Sequence, residues 1–193
     1  MSIEAASPIR TGSLDGARAA LARELAEHAL VKERVQLSSG RWANYYIDAK
    51  RLLLSGRGFW LLAEVIAAEA NSLRATAVGG LTIGADPVAF AALAADPSLN
   101  AFLVRKQRKK HGLQRWIEGP ALNGSDRCVV VDDVVTSGDS VVDAIRRVQD
   151  DRLSVVGVLA VVDRCEGGAS AIAKVTDAPY RALTTIDDVY PDR

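Results

Sequence analysis

Val129-Val130-Val131-Asp132-Asp133-Val134-Val135-Thr136-Ser137-Gly138-Asp139-Ser140 reads as a buried strand that runs into two adjacent carboxylates and then into a small, hydroxyl-rich turn opening a helix. Two like charges side by side are costly to bury without partners, so the strand is expected over 128–131 and should leave the core at Asp132, at the carboxyl edge of a sheet. The helix that follows, expected over 141–148, points its partial positive end at the turn, where backbone amides from Thr136 to Ser140 can wrap an anion. Acids that can hold hydroxyls stand beside amides that can hold phosphate, which suits a sugar phosphate. Asp, Ser and Thr are also ordinary turn and cap residues. The run rises above a plain connection because an apolar strand, paired acids, a small turn and a helix follow one another in the required order.

Outward from this run, strands alternate with helices. Ser13 is a suitable N-cap for a helix to about Leu30, with Leu14, Ala17, Leu21, Leu25 and Ala29 spaced to share one face. Residues 35–37 and 44–48 flank the turn Ser38-Ser39-Gly40-Arg41 as a short hairpin away from the main sheet. A helix over 58–70 and a strand over 75–78 come next, the strand ending at Gly79-Gly80. A helix over 85–95 carries Pro87 near its start, where proline is tolerated. A strand over 101–104, a polar stretch over 105–126 and a long strand over 154–162 complete the alternation, with a short strand and a terminal turn in 180–193. Such an order implies an α/β fold with a central, mostly parallel sheet flanked by helices.

Composition narrows the classes. The 193 residues suffice for one domain with a proper core. The 24 basic and 24 acidic residues cancel, so no global field favours nucleic acid and any cluster of one sign has been gathered locally. Cys128 and Cys165 are too few for a metal site or a disulfide framework and suit packing or turn roles in a reducing compartment. No stretch approaches a membrane span, and no basic start precedes an apolar run; the expectation is a soluble, cytoplasmic protein.

Arg105-Lys106-Gln107-Arg108-Lys109-Lys110-His111 gathers five fixed positive charges and an imidazole directly after a strand. A charge run is commonly only a solvated face, or a nucleic-acid patch. This one begins at the sheet's carboxyl edge, where open α/β folds bind ligands, and His111-Gly112 and Glu118-Gly119-Pro120 bracket a stretch long enough to move. At about 4 Å and an effective dielectric near 20, each opposite charge contributes on the order of 4 kcal/mol before desolvation and ordering are subtracted. A cationic loop over 105–120 could therefore act as clamp and lid for an anionic leaving group, keeping water out as it closes.

The 129–140 run resembles the phosphoribosyl pyrophosphate motif of type I phosphoribosyltransferases. Arg105, Lys106, Lys109 and His111 match the catalytic-loop pattern of the orotate phosphoribosyltransferase family, in which Arg-Lys, a two-residue gap, Lys, one residue and His-Gly follow in order. Three further stretches resemble that family: the hairpin Ser39 to Asp48, the pyrophosphate loop Gly79 to Pro87 and the segment Val162 to Gly168. The likeness spans about residues 20–170. It implies the type I fold with a small N-terminal hood subdomain, as one domain over 1–193: helix and hood hairpin in about 1–50, core in about 51–193.

The resemblance also implies roles. Asp132 and Asp133 would hold the ribose hydroxyls and Thr136, Ser137, Gly138, Asp139 and Ser140 the 5′-phosphate, with Val134 and Val135 also part of the phosphoribosyl pyrophosphate site. Arg105, Lys106, Lys109 and His111 would contact pyrophosphate, with Gly80, Leu81 and Thr82 in the pyrophosphate loop. Lys106, Lys109, His111, Asp132 and Asp133 form the expected catalytic set. Arg164 would meet the orotate carboxylate with its planar fork, Thr136 would also border orotate, and Tyr46 would stack on the base. Mg²⁺ is the implied cofactor, bound through substrate oxygens with no protein ligand, and a homodimer would share the loop across subunits. No nucleic-acid or membrane partner is expected.

Two departures stand out: Ser38 occupies the position where many members carry Lys, and no lysine lies in 80–84. Two alternatives remain at this level. A purine could replace orotate, against which Arg164 and the complete loop pattern argue. A nucleic-acid-binding regulator sensing the same sugar phosphate would need a separate basic surface.

Overall fold

The computed structural model describes residues 13–36, 42–107 and 116–193. Helix α1 (Leu14–His28) starts where the Ser13 hydroxyl accepts the Gly16 amide, at 3.1 Å. Ala17, Leu21, Leu25 and Ala29 are fully buried, as their spacing requires, while Leu14 stays exposed. Four short strands follow: β1 (Leu30–Val31), β2 (Val35–Gln36), β3 (Trp42–Ala43) and β4 (Tyr46–Ile47). They form antiparallel ladders away from the main sheet, β2 with β3 and β1 with β4. The expected pairing of 35–37 with 44–48 is corrected, because residues equally far from a hairpin tip pair with each other. Tyr46 and Ile47, farther out, therefore meet Val31 and Leu30. Leu37 to Arg41 lie outside the described residues.

Next come α2 (Lys50–Leu53), α3 (Gly56–Ser72), β5 (Ala77–Leu81), α4 (Asp86–Ala95), β6 (Asn100–Val104), β7 (Ile117–Glu118), β8 (Arg127–Val135), α5 (Asp139–Asp150), β9 (Ser154–Asp163), α6 (Gly168–Ile172), β10 (Tyr180–Thr185) and α7 (Ile186–Val189). The six-stranded sheet has the order β10-β9-β8-β5-β6-β7 and is parallel except for β7, which runs antiparallel on β6. Alternate residues of the central strands face opposite cores. Val129, Val131, Leu159 and Val161 pack toward α1, α3 and α4, whereas Val130, Val158 and Ala160 pack toward α5 and α6.

Gly79 and Gly80 do not end β5; they lie inside it, buried. A Cβ at Gly79 would stand 2.1 Å from the Phe102 carbonyl oxygen, and one at Gly80 2.1 Å from that of Val131. Neighbouring strands, not a turn, demand glycine here. From β5 the chain passes to β6 on one side, while β8, β9 and β10 are laid down on the other. The β5–β8 boundary is thus the switch point of the sheet, where a crevice opens at the carboxyl ends of its strands.

Candidate active site

Strand β8 continues to Val135, and Asp132 and Asp133 lie within it, each 7 % exposed. The expectation that the chain leaves the core at Asp132 is corrected, and the partners of the acids explain why. Asp132 Oδ1 accepts the Asp133 amide at 3.1 Å, and Asp133 Oδ1 accepts the Val134 amide at 2.9 Å. Lys50 Nζ donates to Asp133 Oδ2 at 3.0 Å. Both carboxylates converge on Gly84, where a Cβ would stand 2.5 Å from Asp133 Oδ1 and 3.1 Å from Asp132 Oδ1. The two acids nevertheless differ. Burial, reinforced by the Asp133 carboxylate, pushes the Asp132 carboxyl well above its usual range. Burial is the largest single influence on Lys50 and works to lower its pKa, but Asp133 together with its other acidic neighbours outweighs it and the net shift is upward.

Beyond β8, residues 134–140 and Asp132 line a cavity of about 210 Å³. Gly138 adopts φ +86°, a left-handed conformation that favours glycine, and no side chain caps the start of α5. The first-turn amides of this 12-residue helix are therefore directed at the cavity without a side-chain competitor. The Ser137 hydroxyl donates to Asp139 Oδ2 at 2.8 Å, which steadies the turn. Val135 is buried in the core, so it can offer the cavity only its backbone. Gly138 and Gly168 pack face to face, and a Cβ on Gly138 would sit 3.1 Å from Gly168 Cα.

Arg164 follows β9, and its amide donates to the Val135 carbonyl at 2.9 Å, tying its turn to the end of β8. Its guanidinium pairs with Glu166 at 2.8 Å and stacks 4.7 Å from the centre of the Tyr45 ring. Its Nε is buried without a hydrogen-bond partner. Asp163 braces this turn, accepting the Cys165 amide at 2.7 Å and the Tyr180 hydroxyl at 2.9 Å. Tyr45 is thus the ring beside Arg164, whereas Tyr46 is 38 % exposed.

At the neighbouring strand end, Leu81 closes β5 just after Gly80, and Thr82 begins the turn to α4, its amide donating to the Val104 carbonyl at 2.9 Å. The Thr82–Ile83 peptide is cis. Arg105 and Lys106 leave β6, which β5 separates from β8, so two strand spacings of about 5 Å lie between their strand and the acids. Lys109 and His111 lie outside the described residues. Arg147 of α5 donates to the carbonyls of Arg105 and Lys106 and stacks 4.3 Å from the Trp116 ring. Lys50, Gly84, Tyr45 and Arg147 were given no role from sequence. Gly84, in the stretch Gly79 to Pro87, and Tyr45, in the hairpin stretch Ser39 to Asp48, stood inside motifs that could have revealed them; Lys50 and Arg147 did not.

Among the described residues, no three His, Cys, Asp or Glu side chains gather as metal ligands, and no helix is long and apolar enough to cross a membrane. No family model matches the chain. It is 45% identical over 174 residues to the orotate phosphoribosyltransferase of Corynebacterium glutamicum (strain R), with 90% of this chain and 94% of the relative covered. Mycobacterium tuberculosis H37Rv orotate phosphoribosyltransferase in complex with Fe(III) dicitrate is similar with a TM-score of 0.81 at 41% identity, over 90% of this chain and 99% of that one. The same enzyme in complex with 5-phospho-alpha-D-ribosyl 1-diphosphate gives 0.77 at 38% identity, over 90% and 98%. At this identity and coverage, the chain belongs to the orotate phosphoribosyltransferase family.

Proposed function

We propose that the protein transfers ribose 5-phosphate from phosphoribosyl pyrophosphate to orotate, giving orotidine 5′-monophosphate and pyrophosphate in pyrimidine synthesis. One observation carries this reading: at the switch point, two buried carboxylates lie near the end of the strand that opens into an uncapped, hydroxyl-rich cradle. Residues 134–140 take the 5′-phosphate, while Asp132 and Asp133 accept the ribose hydroxyls and favour the positive charge that develops on the sugar. Ring nitrogen attacks the anomeric carbon as pyrophosphate departs. Arg105, Lys106, Lys109 and His111 stabilise the leaving group, with the amides of Gly80 to Thr82 beside it. Arg164 meets the orotate carboxylate, and its unpartnered Nε supports that role.

Mg²⁺ fits this donor set as a companion of the substrate, because Lys50 already takes one of the two carboxylates and hard oxygens are plentiful on the diphosphate. When bound, it would neutralise charge gathering on the departing pyrophosphate. The chain works as one domain with the hairpin as its hood, and as a cytoplasmic homodimer that shares the cationic loop. Exposed Leu54, Ile83 and Phe90 beside the β5 turn support self-association, since such apolar clusters are commonly covered by a partner.

A spectrophotometric assay of orotate consumption with phosphoribosyl pyrophosphate and Mg²⁺ tests the reading. Wild type should consume orotate in preference to purine bases, and Lys109→Ala should lower kcat about 100-fold. Absence of turnover, or preference for a purine, would falsify the assignment.

A further inference from the structure

Lys50 is the one described cation within ion-pair distance of either acid, and no role above uses it. It opens α2, while Asp133 lies 83 positions later near the end of β8, so the contact is created by the fold rather than by chain proximity. Its Nζ also lies 3.6 Å from Asp48 Oδ1, at the end of the hairpin. Asp133 is bonded at both oxygens, Oδ1 by the Val134 amide and Oδ2 by Lys50, whereas Asp132 faces the cradle cavity.

Gripping the hydroxyls of a phosphorylated sugar with acidic side chains sets negative charge against a polyanion. Repulsion at such short range is large in a partly dry site. The neighbouring turn supplies no relief, because 80–84 contains no Lys or Arg. Tyr46 and Asp48 from the hairpin, Asp86 from α4 and Tyr180 from β10 are the other titratable groups around this cluster. All are neutral or negative, and Arg51 is occupied by Asp48 at 3.5 Å.

We propose that Lys50 is a positioning residue for the phosphoribosyl donor: it holds Asp133 in place and offsets its negative charge. The pair can then accept the ribose hydroxyls without repelling the phosphates. This inference rests on the reading of Asp132 and Asp133 as the hydroxyl-binding pair.

The test is steady-state kinetics of the full chain with Mg²⁺, varying each substrate separately across about pH 6 to 9. Lys50→Met should raise KM for phosphoribosyl pyrophosphate about tenfold while KM for orotate stays within about twofold, and should move the acidic limb of kcat/KM upward by about one pH unit. Lys50→Arg should restore most of both. If Lys50→Met melts early, Lys50→Gln, uncharged but still a donor, carries the same expectation. An unmoved acidic limb together with an unmoved donor KM in a folded, uncharged variant overturns the proposal, as does failure of Lys50→Arg to recover them. An inactive wild type would instead overturn the functional reading and this inference with it.

Discussion

The turns after β8 and β5 leave adjacent parallel strands at the same edge of the sheet, yet their surroundings are opposite. After β8 come hydroxyls and an uncapped helix around a cavity of about 210 Å³. After β5 the chain borders a larger cavity, about 370 Å³, whose walls include Leu54, Phe59, Ile83 and Phe90. Size alone would choose the second as the ligand site, but its walls are mainly apolar and the Ser55 hydroxyl among them already caps α3 by accepting the Gly58 amide. The contrast teaches that one strand-to-helix geometry serves two ends: one turn opens into a cradle of amides and hydroxyls, while the other presses a bare backbone, Gly84, against the acids of its neighbour.

The sharpest way to break this contrast is Asp133→Asn. Loss of a charged partner for the ribose hydroxyls should cut kcat/KM for phosphoribosyl pyrophosphate by about 100- to 1000-fold, measured as orotate consumption. A loss under tenfold would mean that the β8 end is not where the sugar is held. A smaller effect should come from the β5 side. Gly84→Ala places a methyl against both carboxylates and should cost about 10- to 100-fold in the same assay, whereas Gly56→Ala, where a Cβ meets nothing within 4 Å, should leave activity near wild type. Equal behaviour of the two alanines would show that Gly84 does not shape the acid pair.

The smallest effect concerns proton binding. Because the folded-state pKa of Asp132 is raised above its unfolded value, the native protein binds more protons than the unfolded chain between those values. The associated stability is full below the ordinary carboxylate range and is lost as pH rises through the folded value. Ligand-free protein should therefore melt a few degrees lower near pH 8 than near pH 5, and Asp132→Asn should flatten that slope. A slope unchanged in the variant would place the proton elsewhere.

These same features explain what could be read from sequence. The β8–α5 run was legible because its strand, acids, turn and helix are contiguous, so fold and chemistry appear in one window. Parallel strands covered by helices followed from alternation alone. Burial of the acids did not, since the cation that makes it tolerable stands 83 positions away. Glycine within β5 was indistinguishable from a turn until Phe102 and Val131 appeared beside it. Tyr45 and Tyr46 are neighbours in a strand region where successive side chains face opposite ways, so a single residue of register decides which one meets Arg164.

Arg147 fastens as well as charges. By holding the carbonyls of Arg105 and Lys106 and lying on Trp116, its guanidinium ties the exit of β6 and the approach to β7 to one point near the end of α5. The opposite end of that same helix borders the cavity at residues 134–140, so a single rigid rod links the outer edge of the sheet to the turn after β8.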